Sequence, residues 1–92
     1  MIKEDIERNL FFRIFKKRIP RNHYGAFGNT ITKIIKSINE EGDNDTKKEF
    51  DKDILNFNTK MQDNHLDIFI DDYGYINFES EQDKVIFNLK YL

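Results

Sequence analysis

The 92-residue chain is predicted to form an α+β domain, with two or three N-terminal helices packed on one face of a small C-terminal antiparallel sheet of three or four strands. Apolar side chains recur at helical spacing in the first forty residues. They alternate at strand spacing on both sides of a glycine at position 74. A chain of this length makes one domain, so residues 1–92 are taken as a single folding unit.

The N-terminal part of the chain carries two helical patterns. Residues 3–18 are predicted to form the first helix, because apolar side chains recur every four residues at Ile2, Ile6, Leu10 and Ile14. Pro20 would then end it. A second helix is predicted from a cap at Asn29 or Thr30 to a stop at Gly42, on the spacing of Phe27, Ile31, Ile34, Ile35 and Ile38.

Residues 46–61 fit two secondary structures. Thr46 and Glu49 have the spacing of a capping box, which favours a third helix reaching about Asn58. Leu55, Phe57, Thr59 and Met61 also alternate, which is the spacing of a strand. The helix is preferred, and the strand remains open.

The last third of the chain predicts strands. Residues 66–71 and 75–79 alternate around the three-residue loop 72–74, in which Gly74 takes the left-handed conformation. This register places Ile70 opposite Ile76 and Ile68 opposite Phe78. The apolar segment 85–92 is predicted to be a further strand.

One face of this hairpin is apolar, whereas the other carries carboxylates and aromatic rings. Asp67 and Glu79 lie directly opposite each other, although like charges in that position destabilise a strand pair. Such a local conflict is typical of functional surfaces. The predicted partner-binding residues are Asp67, Phe69, Asp71, Asp72, Tyr73, Tyr75, Asn77 and Glu79. The competing interpretation is an ordinary solvated sheet face.

The charges divide into two blocks of opposite sign. Residues 1–40 hold nine Lys/Arg and four Asp/Glu, whereas residues 41–92 hold six and thirteen, so the net charge of −2 hides a local +5 and −7. An acidic surface of this kind steers basic partners. The predicted partner is a positively charged protein.

The basic block supports an alternative function. A row of cations with one aromatic ring would bind nucleic acid by phosphate pairing and base stacking. The residues of this alternative site are Arg8, Phe12, Lys16, Lys17, Arg18, Arg21 and His23.

Segment 85–92 is apolar on both faces, which at a sheet edge would invite pairing with a second copy of the chain. A homodimer through this predicted edge strand is therefore one expectation. A central position in the sheet is the other.

Several classes of function have no support in the sequence. The chain lacks cysteine and shows no phosphate-binding glycine loop or nucleophile motif, so no metal, cofactor or catalytic residue is predicted and the protein is not expected to be an enzyme. No secretory signal opens the sequence, and no apolar run approaches the about 20 residues of a membrane span. A cytoplasmic location is expected.

These observations favour a small inhibitor that covers a basic cleft, such as that of a nuclease toxin or another nucleic-acid-processing protein. Small acidic immunity proteins of bacteria and phage-encoded inhibitors are similar in size and character. This is an analogy of type, because no motif places the chain in one such family. The alternative is a nucleic-acid-binding module or small nuclease that uses the basic half.

Overall fold

A computed structural model describes residues 1–18 and 30–92 of the chain. The elements in these two stretches are β1 (Ile2–Glu4), α1 (Arg8–Phe15), α2 (Ile31–Glu41), α3 (Asn44–Asp63), β2 (Ile68–Ile70), β3 (Ile76–Phe78) and α4 (Glu81–Tyr91). The predicted α+β class is confirmed. The predicted order, with helices first and the sheet last, is wrong, because a strand opens the described fold and a helix follows the last strand.

The sheet is antiparallel, with β3 in the centre between β1 and β2. The predicted hairpin register is confirmed, since Ile68 pairs with Phe78, Phe69 with Asn77, and Ile70 with Ile76. Strand alternation then turns one face of the sheet toward the helices. Its buried side chains are Ile68, Ile70, Ile76 and Phe78.

The predicted helix over residues 3–18 is too long at both ends, because α1 begins at Arg8 and ends at Phe15, where Lys16 takes the left-handed conformation. Residues 2–4 form β1, in which Ile2 pairs with Phe78 and Glu4 with Ile76. Ile6 lies between β1 and α1, and its carbonyl accepts a hydrogen bond from the backbone N–H of Ile31. A spacing of four residues is also two strand periods, so Ile2 and Ile6 satisfy both patterns. Pairing with β3, which is distant in sequence, favours the strand over the helix.

The second and third helices form where the sequence favours them. Thr30 is at the N-cap position of α2, and Gly42 ends it in the left-handed conformation, as predicted. The part of this prediction that involves Phe27 and Asn29 lies outside the described residues. The helical alternative for residues 46–61 is confirmed, but α3 is longer than predicted. Its N-cap is Asp43, whose carboxylate accepts hydrogen bonds from the N–H and the hydroxyl of Thr46.

The predicted strand at residues 85–92 is wrong, because residues 85–91 belong to α4 and Leu92 is its C-cap. Ser80 caps this helix by accepting a hydrogen bond from the N–H of Asp83, and its hydroxyl donates to the Asp83 carboxylate. Glu81 and Asp83 in the first turn complement the helix dipole. Phe87 and Tyr91 share the buried side, since they are four residues apart. A segment of eight residues rich in apolar side chains fits the spacing of either a helix or a strand, and the Ser80 cap favours the helix.

Aromatic rings hold the helices to the sheet. Phe87 contacts the ring of Phe78 on β3 at 5.4 Å between centroids and the ring of Phe57 on α3 at 6.4 Å. Phe57 also reaches Phe15 of α1 at 6.3 Å. Four elements therefore meet in one aromatic cluster that supports the inner face of the sheet. None of the helices in the described ranges combines the length and apolarity needed to cross a membrane.

Candidate protein-interaction surface

The hairpin and the strand beside it present a surface that the helices leave uncovered. We define the hairpin surface as the side chains of Lys3, Asp67, Phe69, Asp71, Asp72, Tyr73, Tyr75, Asn77 and Glu79. Phe69 retains 41% of its accessible area and Tyr73, at the turn, retains 72%. Asp67, Asp72 and Glu79 are exposed. The N–H of Glu79 donates to the carbonyl of Asp67 at 3.1 Å, so these two carboxylate residues are neighbours as predicted.

Asp71 organises the turn rather than facing solvent. One oxygen of its carboxylate accepts hydrogen bonds from the backbone N–H groups of Tyr73 and Tyr75, at 3.0 and 3.1 Å. The other oxygen accepts from the side-chain amide of Asn77 at 3.2 Å and lies 3.5 Å from the ammonium of Lys3. This network is the local side-chain-to-backbone bonding that makes aspartate a turn residue. We therefore assign Asp71 a structural role within the surface.

Asn77 and Tyr75, two further predicted contact residues, also support the structure of the surface. Asn77 is buried although it points to the outer face, because it lies on the central strand and its amide donates to Asp71 and to the carbonyl of Tyr75. The expectation that Asn77 faces solvent is wrong. Tyr75 is half-buried, and the ammonium of Lys3 lies 4.9 Å from its ring centroid, within cation–π range.

Lys3 is a member of the surface that the sequence did not reveal. It pairs with Asn77 in the sheet, across the central strand from Phe69. Residues 2–4 fit the helical pattern of the N-terminal segment, so no local signal placed Lys3 beside the carboxylates. Its charge offsets one of the four negative charges of the surface.

The turn is anchored to the helices by Gly74, which is buried with φ of +95°. A Cβ at this position would lie 2.8 Å from Cδ1 of Ile35 and 3.3 Å from the backbone nitrogen of Thr32. The close approach of the turn to α2 thus requires glycine twice, for its conformation and for its missing side chain.

The outer edge of β2 is fixed by α3. The side chain of Asn58 accepts a hydrogen bond from the N–H of Ile70 at 2.7 Å and donates to the carbonyl of the same residue at 3.0 Å. The asparagine amide takes the place of a neighbouring strand, because it bonds backbone groups of the β2 edge that could otherwise pair with another strand. With Gly74, this contact makes the hairpin a rigid platform.

The negative charge of the C-terminal block is concentrated on this platform. Residues 64–80, between α3 and α4, contain four Asp/Glu and no Lys or Arg. In contrast, α3 carries five Asp/Glu and four lysines, and α4 carries two of each. The hairpin surface is therefore the place in the described fold where acidic charge accumulates with least compensation.

The basic residues of the alternative site are partly engaged within the fold. The ammonium of Lys17 lies 2.7 Å from Asp53 and 3.1 Å from Glu49 on α3. The hydrogen bond with Asp53 raises the pKa of Lys17 above 10.5, against the opposing effect of burial. Arg8, Phe12, Lys16 and Arg18 are exposed. Arg21 and His23 lie outside the described residues.

A groove of about 1220 Å³ lies between α2, α3 and the tip of the hairpin. Its lining includes the apolar side chains of Ile35, Ile54 and Ile70, and its rim mixes both charge signs, with Lys36 and Asp51 among them. Within residues 1–18 and 30–92, no group of three His, Asp or Glu side chains is placed to hold a metal ion.

Acid is expected to weaken the turn through Asp71. Burial alone would raise the pKa of Asp71, but the hydrogen bonds from Asn77, Tyr75 and Tyr73 and the charge of Lys3 outweigh it and lower the pKa from 3.8. A carboxyl whose folded pKa is depressed stabilises the fold above its unfolded pKa, and this contribution disappears as the pH falls through the folded pKa.

The measurement is chemical denaturation between neutral pH and about pH 2, with the Asp71→Asn variant alongside. The unmodified protein is expected to exceed the variant in unfolding free energy at neutral pH, with the gap closing in acid. Asp72→Asn, at the exposed neighbouring position, should stay within about 0.5 kcal/mol of the unmodified protein at neutral pH. Parallel curves for the unmodified protein and Asp71→Asn would show that the charge of Asp71 contributes nothing to the pH dependence of stability.

Comparison of the chain with protein-family models, with curated proteins and with solved structures finds no match. The function is therefore argued from the geometry and charge of the surface itself.

Proposed function

We propose that this protein is a small binding protein that uses the hairpin surface to cover a basic region of another protein. The observation that carries the proposal is the exposed ring of Phe69 on a rigid sheet, with the carboxylates of Asp67 and Glu79 on the same face. Aromatic side chains supply contact area at interfaces, while surrounding charges set orientation and association rate. Tyr73 and Asp72 extend the same chemistry to the turn.

The partner class that fits best is a nuclease or another nucleic-acid-processing protein. Such proteins hold phosphate groups with Lys and Arg in a cleft, and carboxylates fixed on a rigid platform can occupy those positions in place of phosphate. Binding would then inhibit by blocking the cleft, without a cofactor, as in immunity-type and phage-type inhibitors. The lack of cysteine is compatible with action in the cytoplasm.

The role of Asp71 in the turn determines which variants can test this proposal. A charge reversal at Asp71 would disrupt the turn, so its effect on binding would be ambiguous. The contact carboxylates Asp67 and Glu79 are exposed and, within the described residues, make no side-chain hydrogen bond that supports the turn. Asp67→Lys with Glu79→Lys is therefore the informative double variant, and its thermal unfolding should match that of the unmodified protein.

The test is photo-crosslinking in the cells of origin from a benzoylphenylalanine placed at position 69. Position 55 is the matched control, because Leu55 is also apolar and 65% exposed but lies on α3. We expect capture from position 69 of a protein with a basic surface, and loss of that capture in the Asp67→Lys, Glu79→Lys double variant. Equal capture from positions 55 and 69, or an unaffected double variant, would contradict the proposal.

Nucleic-acid binding by the basic residues is the alternative outcome. A titration of labelled RNA and DNA at about 50 mM salt measures it, because phosphate contacts are strongest at low salt. We expect no saturable binding, since Lys17 is paired with Glu49 and Asp53. Tight binding with a steep salt dependence that Arg18→Glu abolishes would support the alternative instead.

A further inference from the structure

Carboxylates lie at both ends of the outer face of the sheet, on two rows that cross its strands. Asp71 and Tyr75 form the turn row, in which the N–H of Asp71 donates to the carbonyl of Tyr75 at 3.0 Å. Asp67 and Glu79 form the end row, at the opposite end of the hairpin. Tyr75 and Glu79 are four positions apart, so the rows are about 13 Å apart at the rise of about 3.3 Å per residue of a strand.

The turn row holds a cation that belongs to the chain itself. The ammonium of Lys3 lies 3.5 Å from Oδ2 of Asp71 and 4.9 Å from the ring centroid of Tyr75. A carboxylate and the face of an aromatic ring both attract positive charge, so together they make a favourable site for an ammonium group. Lys3 therefore fills a cation site that is built into the hairpin surface.

The shape of this cation site does not depend on Lys3. The Asp71 carboxylate accepts hydrogen bonds at 3.0, 3.1 and 3.2 Å from the backbone N–H groups of Tyr73 and Tyr75 and from the side-chain amide of Asn77. All three are shorter than the contact with Lys3, and the Asn77 donor is itself buried. The Lys3 side chain, in contrast, is 51% exposed. The carboxylate and the ring would therefore stay in place without the ammonium.

We propose that Lys3 is a specificity-determining residue of the hairpin surface, because it fills the cation site of the turn row and directs a partner's cations to the end row. The inference rests on the proposed function, in which this surface covers a basic region. Around the turn, Asp71, Asp72 and Lys3 sum to a formal charge of −1, whereas Asp67 and Glu79 give −2 at the end row. The about 13 Å between the rows exceeds the Debye length of about 8 Å at physiological salt, so Lys3 offsets charge chiefly at the turn.

The consequence is selectivity among basic partners. A partner whose cations extend along the whole face would bring a like charge against Lys3, and such a contact lowers affinity for that partner. A partner whose cations face only Asp67 and Glu79, around the ring of Phe69, avoids this repulsion. Lys3 thus selects against uniformly basic surfaces and in favour of partners whose cations cluster opposite the end row.

The test is an NMR titration of ¹⁵N-labelled Lys3→Met with a short oligolysine peptide, which carries cations along its whole length. Methionine keeps most of the apolar stem of lysine but removes the ammonium. We expect peptide-induced shifts of the Asp71 and Tyr75 amides that the unmodified protein lacks, and an affinity for the peptide about threefold to tenfold higher. Lys52→Met removes an exposed cation from α3 and is the matched control for net charge, whereas Lys3→Arg retains the cation. Both should keep the unmodified shift pattern.

The same affinity and shift pattern in Lys3→Met as in Lys52→Met would overturn the proposal about Lys3. Shifts at Asp67 and Glu79 in both variants would in that case still support the acidic contact surface, so the two proposals fail separately. A purely structural role for Lys3 would lower the free energy of unfolding of Lys3→Met in urea without adding peptide-induced shifts at Asp71 and Tyr75. That result would also overturn the proposal.

Discussion

Replacing Phe87 with alanine is expected to lower the free energy of unfolding by about 3–5 kcal/mol, as for other buried phenylalanines. The ring contacts Phe78, Phe57 and Tyr91, so its removal leaves a cavity at the point where α3, α4 and the sheet meet. A loss of this size is a large part of the about 5–15 kcal/mol that stabilises a typical domain. Urea denaturation followed by far-ultraviolet circular dichroism measures it.

The control for Phe87→Ala is Leu89→Ala, at an exposed position of the same helix. If residues 85–92 formed a strand, Phe87 and Leu89 would both face the core and both changes would be costly. In the helix, Leu89 is exposed, so its replacement should change stability by about 0.5 kcal/mol or less. Similar losses for the two variants would contradict the helical assignment of this segment.

Replacing Gly74 with alanine is expected to cost about 3 kcal/mol, from two independent sources. A left-handed backbone conformation disfavours any side chain by about 1–2 kcal/mol. The added Cβ would also be forced against Ile35, Ile31 and the backbone of Thr32, and such overpacking costs about 1–3 kcal/mol. The turn would withdraw from α2 to relieve the contact.

Gly42 provides a matched control for the packing contribution. Its φ is +69°, so alanine there meets the same kind of conformational penalty, but no atom of the described residues lies within 4 Å of the added Cβ. Gly42→Ala should therefore cost about 1 kcal/mol. The difference between the two variants in denaturant unfolding measures the contact between the turn and α2. Equal losses would show that the turn is not held tightly against the helix.

The hairpin was predictable from the sequence because its signals are local. Alternation around Gly74 specifies the strand faces, and the loop length specifies the register, which the pairing of Ile70 with Ile76 confirms. The alternation does not show, however, which carboxylates are free to contact a partner and which support the turn. The structural role of Asp71 depends on the conformation of the turn, which brings the N–H groups of residues 73 and 75 to one oxygen.

The two errors in the fold have different physical origins. At residues 2–4, the deciding interaction is pairing with β3, more than seventy residues away, and no local pattern reports it. At residues 81–91, the deciding signal was local but missed. Ser80 followed three residues later by Asp83 is a helix-capping pattern, and it outweighs the alternation of a short apolar segment.

The first of these errors is the reason why the sequence did not place Lys3 on the acidic surface. A helix beginning at residue 3 would have put its ammonium on a helix surface, whereas β1 brings it to Asp71 and the ring of Tyr75. The acidic surface is consequently organised around one cation. The remaining carboxylates of the surface, those of Asp67, Asp72 and Glu79, are exposed.

The most direct test of the interaction surface is an NMR titration of the ¹⁵N-labelled protein with a short oligolysine peptide. The peptide reports where negative charge is concentrated and accessible, independently of any natural partner. We expect the largest amide shifts at Asp67, Phe69 and Glu79, and their loss in the Asp67→Lys, Glu79→Lys double variant. Shifts spread evenly over α3 and α4, or shifts that persist in the double variant, would show that the hairpin is not the acidic contact surface.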